Sequence, residues 1–234
     1  MNNPAMLPPL ALPFAVNGML ARLPAADRHY LLANGEYVGL VGATVLAHCS
    51  EAISAVYFPL DCVISLTAAG SARNSLGVGL VGNEGMLGNE LILGADSALL
   101  HAQVQCPGTA LCVARALFTQ RLAQSPQLQH ELKLALQLHM QQLAQAAVCA
   151  RFHLVAGRLA RWLLLTHDRM PGNAFHITHE FLARMLGVRR VGITMAATEL
   201  QRLGVISYRR GDITVLDRAG LEAAACSCHA SQGH

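Results

Sequence analysis

Arg189 and Arg190 follow Gly187-Val188 and open a stretch in which Ile193, Ala196 and Ala197 recur at helical spacing. A guanidinium fork on the outer side of such a helix can donate two parallel hydrogen bonds to guanine O6 and N7 in a DNA major groove. Thr194, one turn beyond Arg190, can meet a thymine methyl or a phosphate. Thr178 stands just ahead of the stretch, where its hydroxyl suits a helix N-cap. A second cationic pair, Arg209 and Arg210, lies in Tyr208-Arg209-Arg210-Gly211-Asp212 and has the chemistry to hold phosphate, which positions a protein on DNA without reading sequence.

A different chemistry is offered by Cys226, Cys228 and His229, since thiolate and imidazole suit zinc or copper(I). Three ligands in four residues with no matching second group make a weak signal, and an unstructured tail is the simpler reading. No metal and no cofactor are expected. The seven cysteines are an odd set without a CxxC pair, which fits reduced thiols and not a disulfide framework. HExxH, GxSxG and Walker A patterns are missing, so an enzyme reading has no nucleophile or acid–base pair behind it.

The elements that would position the arginines can be read outward from Gly187. Leu182, Met185 and Leu186 give the preceding helix an inward face, and Ala183 is small where two helices would cross closely. Gly187 sits at a sharp turn, with Val188 plugging it. This is a helix-turn-helix pattern with the outer N-terminal face of its second helix free. The bland alternative is an ordinary helical hairpin with solvated arginines, against which the small, turn and apolar positions all argue. Leu203 to Ile206 lead into a strand, and the hairpin to Ile213–Leu216 reads as a wing carrying Arg209 and Arg210. Upstream come a hinge near Gly157, a helix around Leu154–Thr166, and a loop around Pro171-Gly172.

From about Gly35 to Val113 the chain reads as short strands punctuated by Gly42, Pro59, Gly70, Gly82, Gly94 and Gly108, which predicts a sandwich or jelly-roll barrel. A short helix is expected around residues 115–124. Pro126 after Ser125 then opens a long helix with no proline or glycine until Gly157. Along it Leu136, Met140, Leu143, Ala147 and Ala150 step by alternating fours and threes, a seam suited to a dimer helix or to packing on the chain's own barrel. The fold class is α+β: a flexible segment at 1–25, a barrel at 26–124, a dimerisation helix at 125–156, a winged helix-turn-helix at 157–225, and a tail at 226–234.

Composition bounds these readings. In 234 residues, 53% hydrophobic content with 13% charge excludes a disordered chain. The long uncharged run at 1–21 is broken by Pro4, Pro8, Pro9 and Pro13 and suits neither a membrane span nor a signal peptide. The expectation is a soluble, cytoplasmic protein with no membrane partner. Residues 151–218 hold eleven arginines against five acidic residues, whereas the rest of the chain is net acidic. That imbalance points the C-terminal third toward a polyanion, or else marks a solvated face.

The sequences YFPLDCVISL (57–66), VGNEGMLG (81–88), GRLARWLLLTHD (157–168), ITHEFLARMLGVRRVGIT (177–194) and LQRLGVISYRRGDITVLD (200–217) resemble the Crp/Fnr superfamily of bacterial transcription regulators. The resemblance covers most of residues 30–225 and is tightest in the C-terminal third. It implies a cyclic-nucleotide-binding-like jelly roll, a homodimer through the long helix, and a winged helix that reads a pseudo-palindromic operator in double-stranded DNA. RNA polymerase and an unidentified small-molecule effector are further partners it leaves open. The family's usual readers are an Arg, a Glu after it, and an Arg one turn on. Arg190 matches the first, but Val191 and Met195 stand at the other two, so the operator does not carry over. The clustered N-terminal cysteines of Fnr-type iron–sulfur sensors are missing.

Nucleotide-responsive members resemble one another in a Gly-Glu pair at the ribose and an Arg followed by Ser or Thr at the cyclic phosphate. Here Gly88 is followed by Asn89, with Glu90 one place late. Leu99, Leu100 and His101 stand where the Arg-Ser pair is expected, and no Arg occurs between Arg73 and Arg115. A buried phosphate without a guanidinium partner is poorly compensated. The barrel is therefore not expected to answer to cyclic AMP. A second function class also stays open: a ligand-sensing or protein-interaction module whose helix-turn-helix serves assembly and not DNA. Steep salt dependence of DNA binding separates the two.

Overall fold

The computed structural model describes residues 17–69 and 75–229, in two units. Pro4, Pro8, Pro9 and Pro13 of the expected flexible segment and the end of the tail fall outside the described residues. One unit comprises residues up to Leu66 together with Val81–Met140; the other comprises Thr67–Leu80 and Gln141 onward.

In the first unit, the segment expected to be loose up to residue 25 is built in from Asn17 onward. Helix α1, Gly18–Arg22, is capped by the buried Asn17, whose side chain accepts from the Leu20 N–H and donates to the carbonyls of Pro59 and Gly85. Met19, Leu20 and Leu23 enter the core. Burial of these three side chains is the apolar gain that holds Asn17–Leu23 in place. Helix α2, Ala25–Asn34, places Asp27 in the interior, where Arg121 pairs with it at 2.6 Å and the Ser125 hydroxyl donates to it at 2.9 Å. A buried carboxylate is tolerated because both of its oxygens are bonded.

The predicted strands are present. They are β1 (Glu36–Leu40), β2 (Val45–Ala47), β3 (Ala55–Pro59), β4 (Val63–Ala69), β5 (Ser75–Val81) and β6 (His101–Cys106). Strand β7, Gly108–Ala114, was not resolved in the sequence reading, yet it is central: it pairs antiparallel with both β1 and β3, with Tyr37 and Phe58 both opposite Leu111. The second sheet has the order β2-β6-β4-β5. Alternating burial along the strands supplies Val38, Val56, Phe58, Leu111 and Val113 to the interior, the period-two pattern of a sheet with one wet face.

Helix α3, Arg115–Gln124, is the expected short helix. Helix α4, Pro126–Phe152, starts where Ser125 and Pro126 predict, the Ser125 hydroxyl accepting from the Leu128 N–H. It ends before the expected boundary: the chain breaks at His153–Leu154, and Gly157 lies inside the next helix.

The second unit contains α5 (Val155–His167), β8 (Ala174–His176), α6 (His179–Leu186), α7 (Arg190–Arg202), β9 (Ile206–Arg209), β10 (Asp212–Val215) and α8 (Arg218–Ala224). Leu159, Trp162, Leu163 and Leu164 of α5 share its buried apolar set with Leu182, Met185, Ile193, Ala196, Ala197 and Leu200. Strand β8, also unread in the sequence, pairs with β10 and widens the expected hairpin to a sheet of order β8-β10-β9.

Candidate nucleic-acid interface

Thr178 takes the N-cap position of α6, its hydroxyl accepting from the Phe181 N–H at 3.2 Å. At the other end Gly187 adopts φ 61°, a left-handed conformation that costs a side chain-bearing residue about 1 kcal/mol or more. The Val188 N–H then reaches back to the Ala183 carbonyl, closing the helix end and turning the chain into α7. Arg158 of α5 donates to the Leu186 carbonyl, placing a buried cation at the negative end of α6. The helix-turn-helix is thus held from below by α5.

On α7, Ile193, Ala196, Ala197 and Leu200 are buried while Arg189, Arg190, Val191, Thr194 and Met195 are exposed. The expected outward face exists, and its arginines make no ion pair among the described residues. Thr194 is exposed, but its hydroxyl is engaged, lying 3.1 Å from His179 Nδ1 and donating to the Arg190 carbonyl at 3.2 Å. His179 also packs edge-on against Tyr208 of β9, at 4.5 Å between ring centroids. Burial, and then the adjacent Arg190, hold the His179 imidazole below its ordinary pKa, so it is held toward the neutral form. Tyr208 donates to the Ile177 carbonyl at 2.5 Å, and burial pushes its phenol well above the usual range.

Arg209 and Arg210 are exposed at the tip of the β9–β10 hairpin. Arg210 and Gly211 have φ 54° and φ 98°, the two-residue turn whose twist matches paired strands. His176 of β8 bonds Asp212 at 2.7 Å beside this turn. Val191 and Met195, 61% and 70% exposed, add an apolar element to the same outer face of α7.

The five seam residues of α4 divide: Leu136, Leu143 and Ala150 are half-buried, while Met140 and Ala147 are exposed. A second apolar row, Leu134, Leu138, Val148 and Phe152, is exposed on the opposite side of the helix at 100° per residue. The sequence reading missed it because Gln141 and Gln145 interrupt it.

The tail reading is corrected for Cys226–His229. These residues are ordered after α8, and Cys228 is buried. Cys226 and Cys228 gather with Cys149 and His153 of the α4 end, whereas His229 is not part of that group.

Residues 157–224 match the family described as the Crp-like helix-turn-helix domain. No curated protein is significantly similar to the chain in sequence. Among solved structures, a Crp/Fnr-family putative transcriptional regulator from Eubacterium rectale superposes with a TM-score of 0.65 at 16% identity, covering 88% of this chain and 96% of its own. FixK2 from Bradyrhizobium japonicum gives 0.70 at 13% identity, covering 82% and 98%. The c-di-GMP-responsive global regulator CLP of Xanthomonas campestris gives 0.64 at 16% identity, covering 82% and 99%. The chain therefore shares the fold of these solved structures, and residues 157–224 are similar to the Crp-like helix-turn-helix family. No helix among the described residues is long and apolar enough to cross a membrane.

Proposed function

We propose that this chain is a cytoplasmic, dimeric, sequence-specific transcription regulator that reads a pseudo-palindromic operator with the outer N-terminal face of α7. The observation that carries this is the division of α7. Ile193, Ala196, Ala197 and Leu200 are spent on the core, while Arg189 and Arg190 stand exposed beside an arginine-tipped wing. Arg190 is the base reader and Arg209 and Arg210 are phosphate contacts. Val191 and Met195 replace polar readers with apolar ones, and an apolar side chain in the major groove selects the thymine methyl. The operator half-site accordingly pairs a guanine with neighbouring thymines.

Dimerisation runs through α4 along Leu136, Met140, Leu143 and Ala147, so Met140→Arg yields monomer while Leu138→Arg on the opposite row does not. Selection of bound DNA from a random pool with the full chain tests the reading. The expected result is an inverted repeat with half-sites about one helical turn, ~10 bp, apart. A pool without enrichment, together with salt-insensitive self-association, supports the assembly-module reading instead.

The barrel's ligand is not cyclic AMP. Glu90, the acidic residue nearest the family's ribose position, already accepts the Leu99 N–H at 3.0 Å. His101, where the phosphate-binding pair is expected, accepts the Cys49 N–H at 3.3 Å.

A further inference from the structure

Cys149 and His153 lie one helical turn apart at the end of α4, and Cys226 and Cys228 follow α8, 77 residues beyond Cys149 and 75 beyond His153 respectively. The ligand atoms of all four are within 4.8 Å of one another. The sulfurs of Cys149 and Cys226 are 3.5 Å apart, and Cys228 Sγ is 3.4 Å from His153 Nδ1. A tetrahedral zinc ion with Zn–S of about 2.3 Å and Zn–N of about 2.0–2.1 Å sets its ligands about 3.8 Å (S to S) and about 3.6 Å (S to N) apart. The protein holds two pairs within a few tenths of an ångström of those edges.

We propose that Cys149, His153, Cys226 and Cys228 form a closed zinc(II) site that ties the last turns of α4 to the segment following the winged helix. Three thiolates and one imidazole are a soft donor set that favours zinc over magnesium or calcium. Four protein ligands leave no open position, so the site is structural and not hydrolytic. Binding releases the three thiol protons to solvent and leaves the site with one net negative charge. Cys149 borders a cleft shared with Arg158 and Arg161, which places cations near that charge.

Local structure also favours the site. The Cys226 N–H donates to the Gly157 carbonyl at 3.2 Å, and a Cβ on Gly157 would stand 3.2 Å from that nitrogen and 3.4 Å from the Cys226 Cβ. Gly157 is thus the residue against which the Cys-Ser-Cys segment docks on the first turn of α5. The ligands bracket the His153–Leu154 break, so a bound ion fixes the direction in which α5 leaves α4. Metal occupancy then stiffens the support beneath the helix-turn-helix, and this consequence alone rests on the DNA reading above.

The test uses the reduced full chain, stripped by chelator and titrated with cobalt(II) and then zinc(II) under anaerobic conditions. One equivalent of cobalt per chain is expected, with thiolate-to-metal charge-transfer absorption and intense tetrahedral d–d bands that zinc abolishes. Cys149→Ser and Cys228→Ser should each weaken uptake at least ~100-fold, beyond the ~10–100-fold that losing an outer-shell partner costs. Cys49→Ser, an exposed thiol of the barrel, should leave it unchanged. His153→Cys should keep the ion with the bands of an all-thiolate site, which guards against a misfolded variant being misread. Three results overturn the proposal: weak octahedral spectra, tetrahedral bands that persist in both serine variants, or a Cys149–Cys226 disulfide that survives reductant and blocks uptake. None of these readouts involves DNA. A zinc-loaded chain that failed to enrich any operator would overturn the regulator reading and leave the metal site standing.

Discussion

Between Asn74 and Ala114 the barrel carries three acidic residues and neither Lys nor Arg, whereas Arg189, Arg190, Arg209 and Arg210 crowd a much shorter stretch of the C-terminal unit. The contrast extends to how polar groups are used. The four arginines are exposed and make no ion pair among the described residues. In the barrel, Glu90 is bonded to the Leu99 N–H and His101 to the Cys49 N–H. A surface that binds a polyanion keeps its donors unpaired, because a donor already bonded gains little from a phosphate. A barrel stretch that bonds its own polar groups has little charge to offer a cyclic phosphate. One chain thus leaves four arginines exposed in one region and bonds the polar groups of another to its own backbone.

The largest effect expected from this contrast is in salt. Operator affinity should fall on the order of 10³-fold or more between ~50 and ~200 mM salt, as phosphate neutralisation releases counterions. Fluorescence anisotropy across that range measures it, and a flat response would move the arginines from interface to solvated surface.

Next in size is Arg190→Ala. Loss of a bidentate contact to guanine should cost ~1–3 kcal/mol and relax preference at one base pair of each half-site. Competition against single-base operator variants checks this, and uniform weakening over all variants would instead make Arg190 a phosphate contact.

Arg210→Gly separates function from stability. Arg210 holds φ 54°, so glycine there should stabilise the hairpin by up to ~1 kcal/mol. Operator binding should nonetheless weaken equally on all sequences, with the salt slope reduced by about one. Thermal melts and titrations on the same samples decide it; a stabilised variant with intact binding removes the wing from the interface.

A smaller effect is expected from pH. Burial first, and Arg190 second, hold His179 below its ordinary 6.5. As pH falls through that value the unfolded chain takes up this proton before the folded one does. Stability is therefore unaffected by His179 above ~6.5 and declines below it. His179→Gln should flatten that decline in denaturant titrations. An unaltered slope would assign it to His139 and His229, which burial also holds down.

The smallest signal is the one expected for cyclic AMP. Calorimetric titration of the full chain should show no heat of binding at micromolar concentrations. Micromolar affinity coupled to tighter operator binding would break the contrast outright.

The sequence by itself determined the parts whose physics is local. Thr178, the inward Leu182-Met185-Leu186 face, Gly187 and the alternation of buried and exposed positions along α7 are written within twenty residues, and periodicity reads them directly. The Ser125-Pro126 helix start and the short strands of the barrel are legible for the same reason. Less was legible where a contact joins distant residues. Strand β7 follows Pro107, opens on Gly108 and carries little alternation, yet it pairs with two strands remote from it in sequence. Strand β8 acquires its identity only from β10. The segment at Asn17–Leu23 is ordered by carbonyls of Pro59 and Gly85 that no local pattern announces.

The thiol cluster is the clearest instance. Cys226-Ser-Cys228-His229 looks like a loose tail with a nearby histidine as its third ligand. The fold instead supplies Cys149 and His153 from the α4 end and leaves His229 out. Spacing along a chain predicts ligands only when they lie on one element. When two elements share the work, tertiary packing alone chooses which donors meet.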